Sequence, residues 1–254
     1  MQHRSLVAAA LLAVVVATGG RSQEAPQPPA GYLPRDALPN SLALLPPPPP
    51  AGSAAFARDE EVSRQTAHEP GDPRWNLAAS DADLRFPHAL SAFACALGVV
   101  PDPQKTPALY RLLARMAVDV GLSTYKVKDR YRRMRPFVAH GNRTCLPRDE
   151  AMLRRDGSYP SGHSALGWGW ALVLAELEPE KADAILQRGR DFGQSRLVCN
   201  AHWASDVDAG RLVAAATVAR LHADEAFAAD LAAARQELAR KPRYAPAGCA
   251  GAMD

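Results

Sequence analysis

The chain has 254 residues, 47% of them hydrophobic and 22% charged, with 30 Lys and Arg against 27 Asp and Glu for a formal net charge of +3. That length suits one sizeable domain and hardly two, and the composition is too polar for a protein that crosses a membrane many times. The near-neutral balance also argues against a dedicated nucleic-acid binder, whose basic residues dominate a whole face.

Residues 1–22 read as an export signal. Met1 to Arg4 is short and basic, Ser5 to Thr18 is apolar but too short to span a bilayer comfortably, and Gly19 and Gly20 follow. Cleavage is expected between about Ala17 and Ala25, and the destination is the periplasm or the cell exterior. No cysteine lies near that region, so lipoprotein processing is not expected. Residues 23–52 form a leader dense in proline, ending in Pro46 to Pro50, which must run extended or as polyproline II. Leu42, Leu44 and Leu45 point to its packing on the body, with a disordered leader as the alternative.

From residue 53 to 242 the chain becomes Ala- and Leu-rich with helical spacing. Helices are predicted over Ala54–His68, Asn76–Asp83, Pro87–Leu97, Pro107–Leu122, Ser123–Arg133, Ser161–Leu177, Pro179–Cys199, Ala204–His222 and Asp224–Lys241. Ser161 suits a cap, and Pro107 and Pro179 suit a first helical position. β-branched alternation is scarce, so the expected fold is all-α, followed by a tail over 243–254. Four cysteines, Cys95, Cys145, Cys199 and Cys249, allow one or two disulfides in an exported chain, and spacing does not choose among the three pairings.

Three clusters carry chemistry. The first runs from Lys128 to Arg135-Pro136. On one continuous helix Lys128 and Arg135 would leave the same face after two turns, with Pro136 ending the helix, and two such cations can hold a dianion. Lys126, Arg130, Arg132 and Arg133 read as a solvated basic face. The second is Pro160-Ser161-Gly162-His163 feeding an apolar helix. Its first turn leaves backbone N–H groups unpaired, which makes an anion site, with the Ser161 hydroxyl and the His163 ring beside it. The third is Ser195-Arg196 followed by His202 and Asp206. A carboxylate four residues on can fix the imidazole tautomer and leave the other nitrogen free as base or nucleophile. Each cluster alone is weak: a basic face, a surface histidine and a helix-surface pair are all common.

The order and spacing of the three together resemble the signature of the phosphatidic-acid-phosphatase type 2 superfamily, which includes bacterial class A nonspecific acid phosphatases, lipid phosphatases and vanadium haloperoxidases. Ser41 to Pro49, Thr106 to Tyr110, Gly157 to His163 and Ala201 to Gly210 look like the class A phosphatases specifically. The resemblance implies the compact helical bundle of that superfamily and hydrolysis of small phosphate monoesters through a phosphohistidine, without metal or cofactor. In it Lys128, Arg135, Ser161, Gly162 and Arg196 would cradle the phosphoryl oxygens. His202 would attack, held by Asp206, and His163 would protonate the leaving group. Inhibition by vanadate, a homodimer or larger assembly, and no nucleic-acid or membrane partner are implied as well.

The chain departs from the class pattern at Val138, Ala139 and His140, where an aromatic residue often precedes the glycine, so the pocket rim is expected to differ. A Cys145–Cys199 bond would tie two catalytic segments together, leaving Cys95–Cys249 by elimination. A haloperoxidase holding vanadate is the alternative enzyme, although such chains are usually much longer. A phosphate-binding protein without turnover would need no oriented His202–Asp206 pair. A basic adaptor for nucleic acid through Lys126 to Arg135 sits badly with the net charge.

Overall fold

The computed structural model describes residues 30–240 together with Cys249. The proposed export signal, the first part of the leader, Lys241 and the rest of the tail lie outside the described residues. In chain order the helices are α1 (Ser41–Leu44), α2 (Ala54–Gln65), α3 (Pro73–Asp81), α4 (His88–Ser91), α5 (Ala94–Leu97), α6 (Pro107–Ser123), α7 (Tyr125–Tyr131), α8 (Pro136–Ala139), α9 (Glu150–Leu153), α10 (Gly162–Leu177), α11 (Ala182–Val198), α12 (Ala204–Leu221) and α13 (Glu225–Ala239), with a 3-10 turn at Pro179–Lys181. No strand occurs among the described residues, so the fold is all-α.

The centre of the bundle is α10, because its sequence is apolar on almost every side and such a helix has to be buried all round. Ala165, Trp170, Ala171, Val173 and Leu174 are each at most 1% exposed. Helices α6, α11 and α12 pack around it. Close approach is made possible by small residues: a Cβ at Gly189 of α11 would collide with the Ala171 side chain, and one at Gly210 of α12 with the Ser161 carbonyl. The second contact matters for function, since it seats α12 against the turn that opens α10.

Outer elements are held by polar as well as apolar contacts. The Glu237 carboxylate of α13 accepts from Ala108 N at 3.2 Å and Leu109 N at 3.0 Å, satisfying orphan donors at the start of α6. Buried Asp119 of α6 accepts from Tyr32 N at 2.7 Å and Leu33 N at 3.1 Å, fastening the chain ahead of α1. Leu45 packs with Val127, Tyr159, Ala209 and Val213, while Leu42 and Leu44 face outward.

Several boundaries differ from expectation. The predicted Asn76 start moves back to Pro73, at the first helical position, with Asp72 capping Arg74 N at 2.6 Å. The stretch 87–97 splits into α4 and α5, the second stopping at Gly98 with φ of 75°.

The consequential correction concerns Ser123–Arg133. Its helix ends at Tyr131, Arg132 takes a left-handed φ of 43°, and Arg135 is extended at φ −81° and ψ 151°. Lys128 and Arg135 therefore do not share the face of one helix. A residue that precedes proline is pushed out of the α region by the ring, and Pro136 here opens α8 at its first position instead of closing a helix.

Candidate active site

Each predicted site residue lies at the end of the bundle where α10 begins, brought there by five segments of the chain. Ser161 caps α10: its Oγ accepts from Ser164 N at 3.2 Å and from Ser164 Oγ at 2.9 Å, while its own N–H donates to the Asp206 carbonyl at 2.9 Å. Gly162 and His163 form the first turn. Lys128 arrives from α7, Arg135 from the residue ahead of α8, Arg196 from α11, and His202 and Asp206 from the junction of α11 and α12.

The cations are buried and unequal. Lys128, 5% exposed, donates to the Gly157 carbonyl at 2.6 Å and faces Asp156 Oδ2 at 3.3 Å. Burial, then the Arg135 charge, lower its pKa to about 8. Arg135 is anchored through Nε to the carbonyls of Leu153 and Asp156, through Nη1 to that of Ala201, and through Nη2 to Asp156 Oδ2 at 2.9 Å. Arg196 differs. It is fully buried, and none of Nε, Nη1 and Nη2 has a hydrogen-bond partner. Burial first, and Arg135 next, lower its pKa to about 9.

His202 is 2% exposed and precedes α12, so it and Asp206 meet across a helix start and not along a helix face. Its Nε2 lies 2.9 Å from Arg135 Nη1, while its buried Nδ1 stands 3.5 Å from Asp206 Oδ2, close enough for the charge to act but without a hydrogen bond. Asp206 Oδ2 accepts from Trp203 N at 2.8 Å, the carboxylate half of a capping box that locks its position. Burial, then the Arg135, Lys128 and Arg196 charges, push the His202 pKa well below the usual histidine value. His163 is likewise depressed, by burial and then by Arg196. Its Nε2 lies 3.0 Å from the Ala82 carbonyl, to which only a protonated nitrogen can donate, so Nδ1 is the nitrogen available to a substrate.

His163 also lines a cleft of about 710 Å³, walled by Leu84, Leu146, Pro147 and Met152 with Arg85 and Arg148 at its edge. That volume falls in the usual range for small-molecule sites. The segment 138–140, expected to alter the rim, does not line it: His140 pairs with Glu60 at 2.8 Å and packs edge-on against Trp203.

Two charged residues escaped the sequence reading. Arg133, read there as solvated, has a side chain only 8% exposed, bonded to Asp206 and Asp59 at 2.7 Å each. Asp156 bridges Lys128 and Arg135. Arg133 is separated from Arg135 by one residue in a stretch that proline keeps non-helical, and that was the available signal. Asp156 carried none beyond its place ahead of Gly157.

Residues 108–227 match the PAP2 superfamily. A non-specific acid phosphatase of Providencia stuartii is 43% identical over 215 residues, covering 84% of this chain and 87% of its own. The chain belongs to this superfamily. A non-specific acid phosphatase of Salmonella typhi is 44% identical over 200 residues, covering 78% of this chain and 80% of its own. An acid phosphatase of Zymomonas mobilis is 42% identical over 198 residues, covering 77% and 75%. The superfamily match spans α6 through the start of α13, and so takes in Lys128, Arg135, Ser161, Gly162, His163, Arg196, His202 and Asp206.

Both disulfides are present. Cys145–Cys199 joins the cleft wall to the segment leading into His202, and Cys95–Cys249 ties α5 to the C-terminal region. No helix among the described residues is long and apolar enough to cross a membrane.

Proposed function

We propose that this protein hydrolyses phosphate monoesters by passing the phosphoryl group to Nε2 of His202 and then to water, with protein cations in place of a metal ion. Its relatives at 42–44% identity are named as acid phosphatases, and the chain is an acid phosphatase of that family. The observation that carries the mechanism is Arg196. A buried charge left without its partner costs ~3–5 kcal/mol, so a fold that keeps three guanidinium donors unpaired has a use for an anion there.

A phosphoryl group in this cradle would meet Arg196, Lys128, Arg135, the Ser161 hydroxyl and the N–H groups of Gly162 and His163. Fixed donors of this kind supply most of the stabilisation in phosphoryl transfer, where charge spreads over the equatorial oxygens. The lone pair of His202 Nε2 forms the N–P bond as the bond from phosphorus to the ester oxygen breaks. His163 delivers a proton to that oxygen. The leaving alcohol departs through the cleft, and water, deprotonated by the now neutral His163, cleaves the phosphohistidine to inorganic phosphate.

The two histidines have separate tasks because Asp206 faces only His202. Among the described residues no group of three or more His, Cys, Asp or Glu side chains gathers as metal ligands would, and the three cations already carry the positive charge the reaction needs. Two disulfides and the apolar N-terminal run favour export to the periplasm or beyond. The outward Leu42 and Leu44 favour a homodimer or larger assembly, which light scattering would test.

The deciding experiment is turnover of a chromogenic phosphomonoester by purified protein, first without added metal and then with chelator. Undiminished turnover with a phosphoryl group trapped on acid-sensitive nitrogen upholds the reading. Loss of turnover on chelation, or oxidation of halide once vanadate is added, overturns it.

A further inference from the structure

Asp206 is fully buried, and burial alone drives a carboxyl group towards its neutral form. A neutral Asp206 would lose the negative charge that faces His202 Nδ1 at 3.5 Å. An enzyme meant for acid solution therefore needs something that keeps this carboxylate charged as protons become plentiful.

The structure supplies a counter-ion from outside the phosphate cradle. Arg133 Nη1 donates to Asp206 Oδ1 at 2.7 Å and to Ser205 Oγ at 2.8 Å, and Nη2 donates to Asp59 Oδ2 at 2.7 Å. Asp59, on α2 and 2% exposed, accepts in turn from Ser205 N at 2.8 Å and Ser205 Oγ at 2.5 Å. The guanidinium carbon lies 5.3 Å from the Trp203 ring centroid and 6.0 Å from that of Phe56. Apart from Asp206 itself, the groups that hold Arg133 (Asp59, Ser205, Trp203 and Phe56) lie outside the proposed phosphate cradle.

The other groups facing Asp206 are His202, the Trp203 N–H, the Ser158 side chain and the charges of Lys128 and Arg135. The Tyr159 phenol feels it as well. Lys128 and Arg135 are committed to Asp156 and to the phosphate position. Arg133 is the cation in direct contact.

We propose that Arg133 is a positioning residue that keeps the Asp206 carboxylate charged, and with it His202 in its attacking tautomer, when the solution turns acid. This rests on the phosphatase reading with His202 as nucleophile. Burial raises the Asp206 pKa, and the Arg133 charge is the foremost influence opposing that rise. Removing Arg133 would let the His202–Asp206 pair take up a proton at higher pH, and a proton on His202 stops the attack while one on Asp206 slows it.

The test is the pH profile of kcat for wild type, Arg133→Met, Arg133→Lys and Asp59→Asn on an aryl phosphate, with thermal unfolding of each. Arg133→Met should lose least turnover near neutrality while its acid limb moves to higher pH by on the order of one unit or more. KM should change little. Arg133→Lys, which keeps charge but not the fork, should recover part of that shift. Asp59→Asn should move the limb the opposite way, because one negative charge beside Asp206 is gone.

An unmoved acid limb in folded Arg133→Met, an equal loss at every pH, or a rise in KM alone would overturn the proposal. Should Arg133→Met fail to fold, Asp59→Asn decides, and an unmoved or upward limb there overturns it equally. Absence of wild-type turnover would instead remove the phosphatase reading itself.

Discussion

Arg135 Nη1 stands 2.9 Å from His202 Nε2, while the Nδ1 of the same ring faces Asp206 Oδ2 at 3.5 Å. A guanidinium can only donate, so Nε2 must carry the lone pair and Nδ1 the proton. The nitrogen with the lone pair, the attacking one on the proposed mechanism, is thus the one among the cations, where it accepts from Arg135 Nη1. The proton-bearing nitrogen points to the carboxylate, which on the proposed mechanism would stabilise the imidazolium character developing as Nε2 bonds to phosphorus.

Substitution of the two histidines should therefore separate their roles. His202→Ala is expected to abolish turnover and leave no phosphoprotein in rapid-quench samples. His163→Ala removes only the proton donor, so the loss should be severe for alkyl phosphates and mild for an activated aryl phosphate. Asp206→Asn should fall between, since the ring remains but its tautomer is no longer fixed. Trapping of an acid-labile phosphoryl group in His202→Ala but not in His163→Ala would mean that the roles are reversed.

Arg196 makes a prediction in which function and stability diverge. Arg196→Met should weaken inhibition by inorganic phosphate and by vanadate at least tenfold, because the three donors free for phosphoryl oxygens are gone. The same change should leave the ligand-free protein as stable or more stable, by up to about 4 kcal/mol, since replacing a buried charge with an apolar chain of similar volume is often favourable. Denaturant titration with and without phosphate reads both effects. A large loss of stability in the free protein would show that Arg196 has a structural partner.

How much of this was legible in the sequence depended on whether a residue's neighbours in space were also its neighbours in the chain. The turn at Ser161–His163 and the pair His202–Asp206 are local, and their spacing pointed to their contacts. The apolar run after that turn was legible as a helix, and the structure buries its Trp170 at the core. Lys128 and Arg135 were found, but on the wrong scaffold, because helical periodicity was extended through a residue that proline keeps extended. Arg133 and Asp156 were not legible as site residues, because what distinguishes them is burial against segments 28 to 74 positions away. A charge buried by distant parts of the chain looks, in sequence, like any surface charge.

The depressed pKa values of both histidines imply a particular pH dependence. In the free enzyme His163 is neutral at moderate pH, because burial and Arg196 disfavour its charged form. The proton needed by the leaving group must then arrive with the substrate, as the phosphate monoanion, whose second pKa is near ~6. Hence kcat/KM should fall as pH rises through the substrate's own second pKa. The alkaline limb of kcat should lie higher, because a bound phosphate dianion holds the proton on His163. Phosphomonoesters of graded second pKa check this: the kcat/KM limb should follow the ester, and a limb fixed for all of them would refute it.

The two disulfides should be distinguishable by what their loss does. Cys145–Cys199 spans 54 residues and Cys95–Cys249 spans 154, so chain entropy assigns them about 4 and about 5 kcal/mol of stabilisation. By that measure the longer loop should matter slightly more for unfolding. Catalysis should rank them the other way. Cys145 lines the cleft, and Cys199 is followed directly by Asn200, Ala201 and His202, where the Ala201 carbonyl anchors Arg135 Nη1 at 2.9 Å. Opening that bond frees both the cleft wall and the segment carrying His202. Paired Ala substitutions at 145 and 199 should therefore lower kcat as well as the denaturation midpoint. Substitutions at 95 and 249 should lower the midpoint and leave kcat near wild type. Activity and urea titration on the two double variants give both numbers, and equal effects on kcat would mean that the Cys145–Cys199 bond has no special hold on the site.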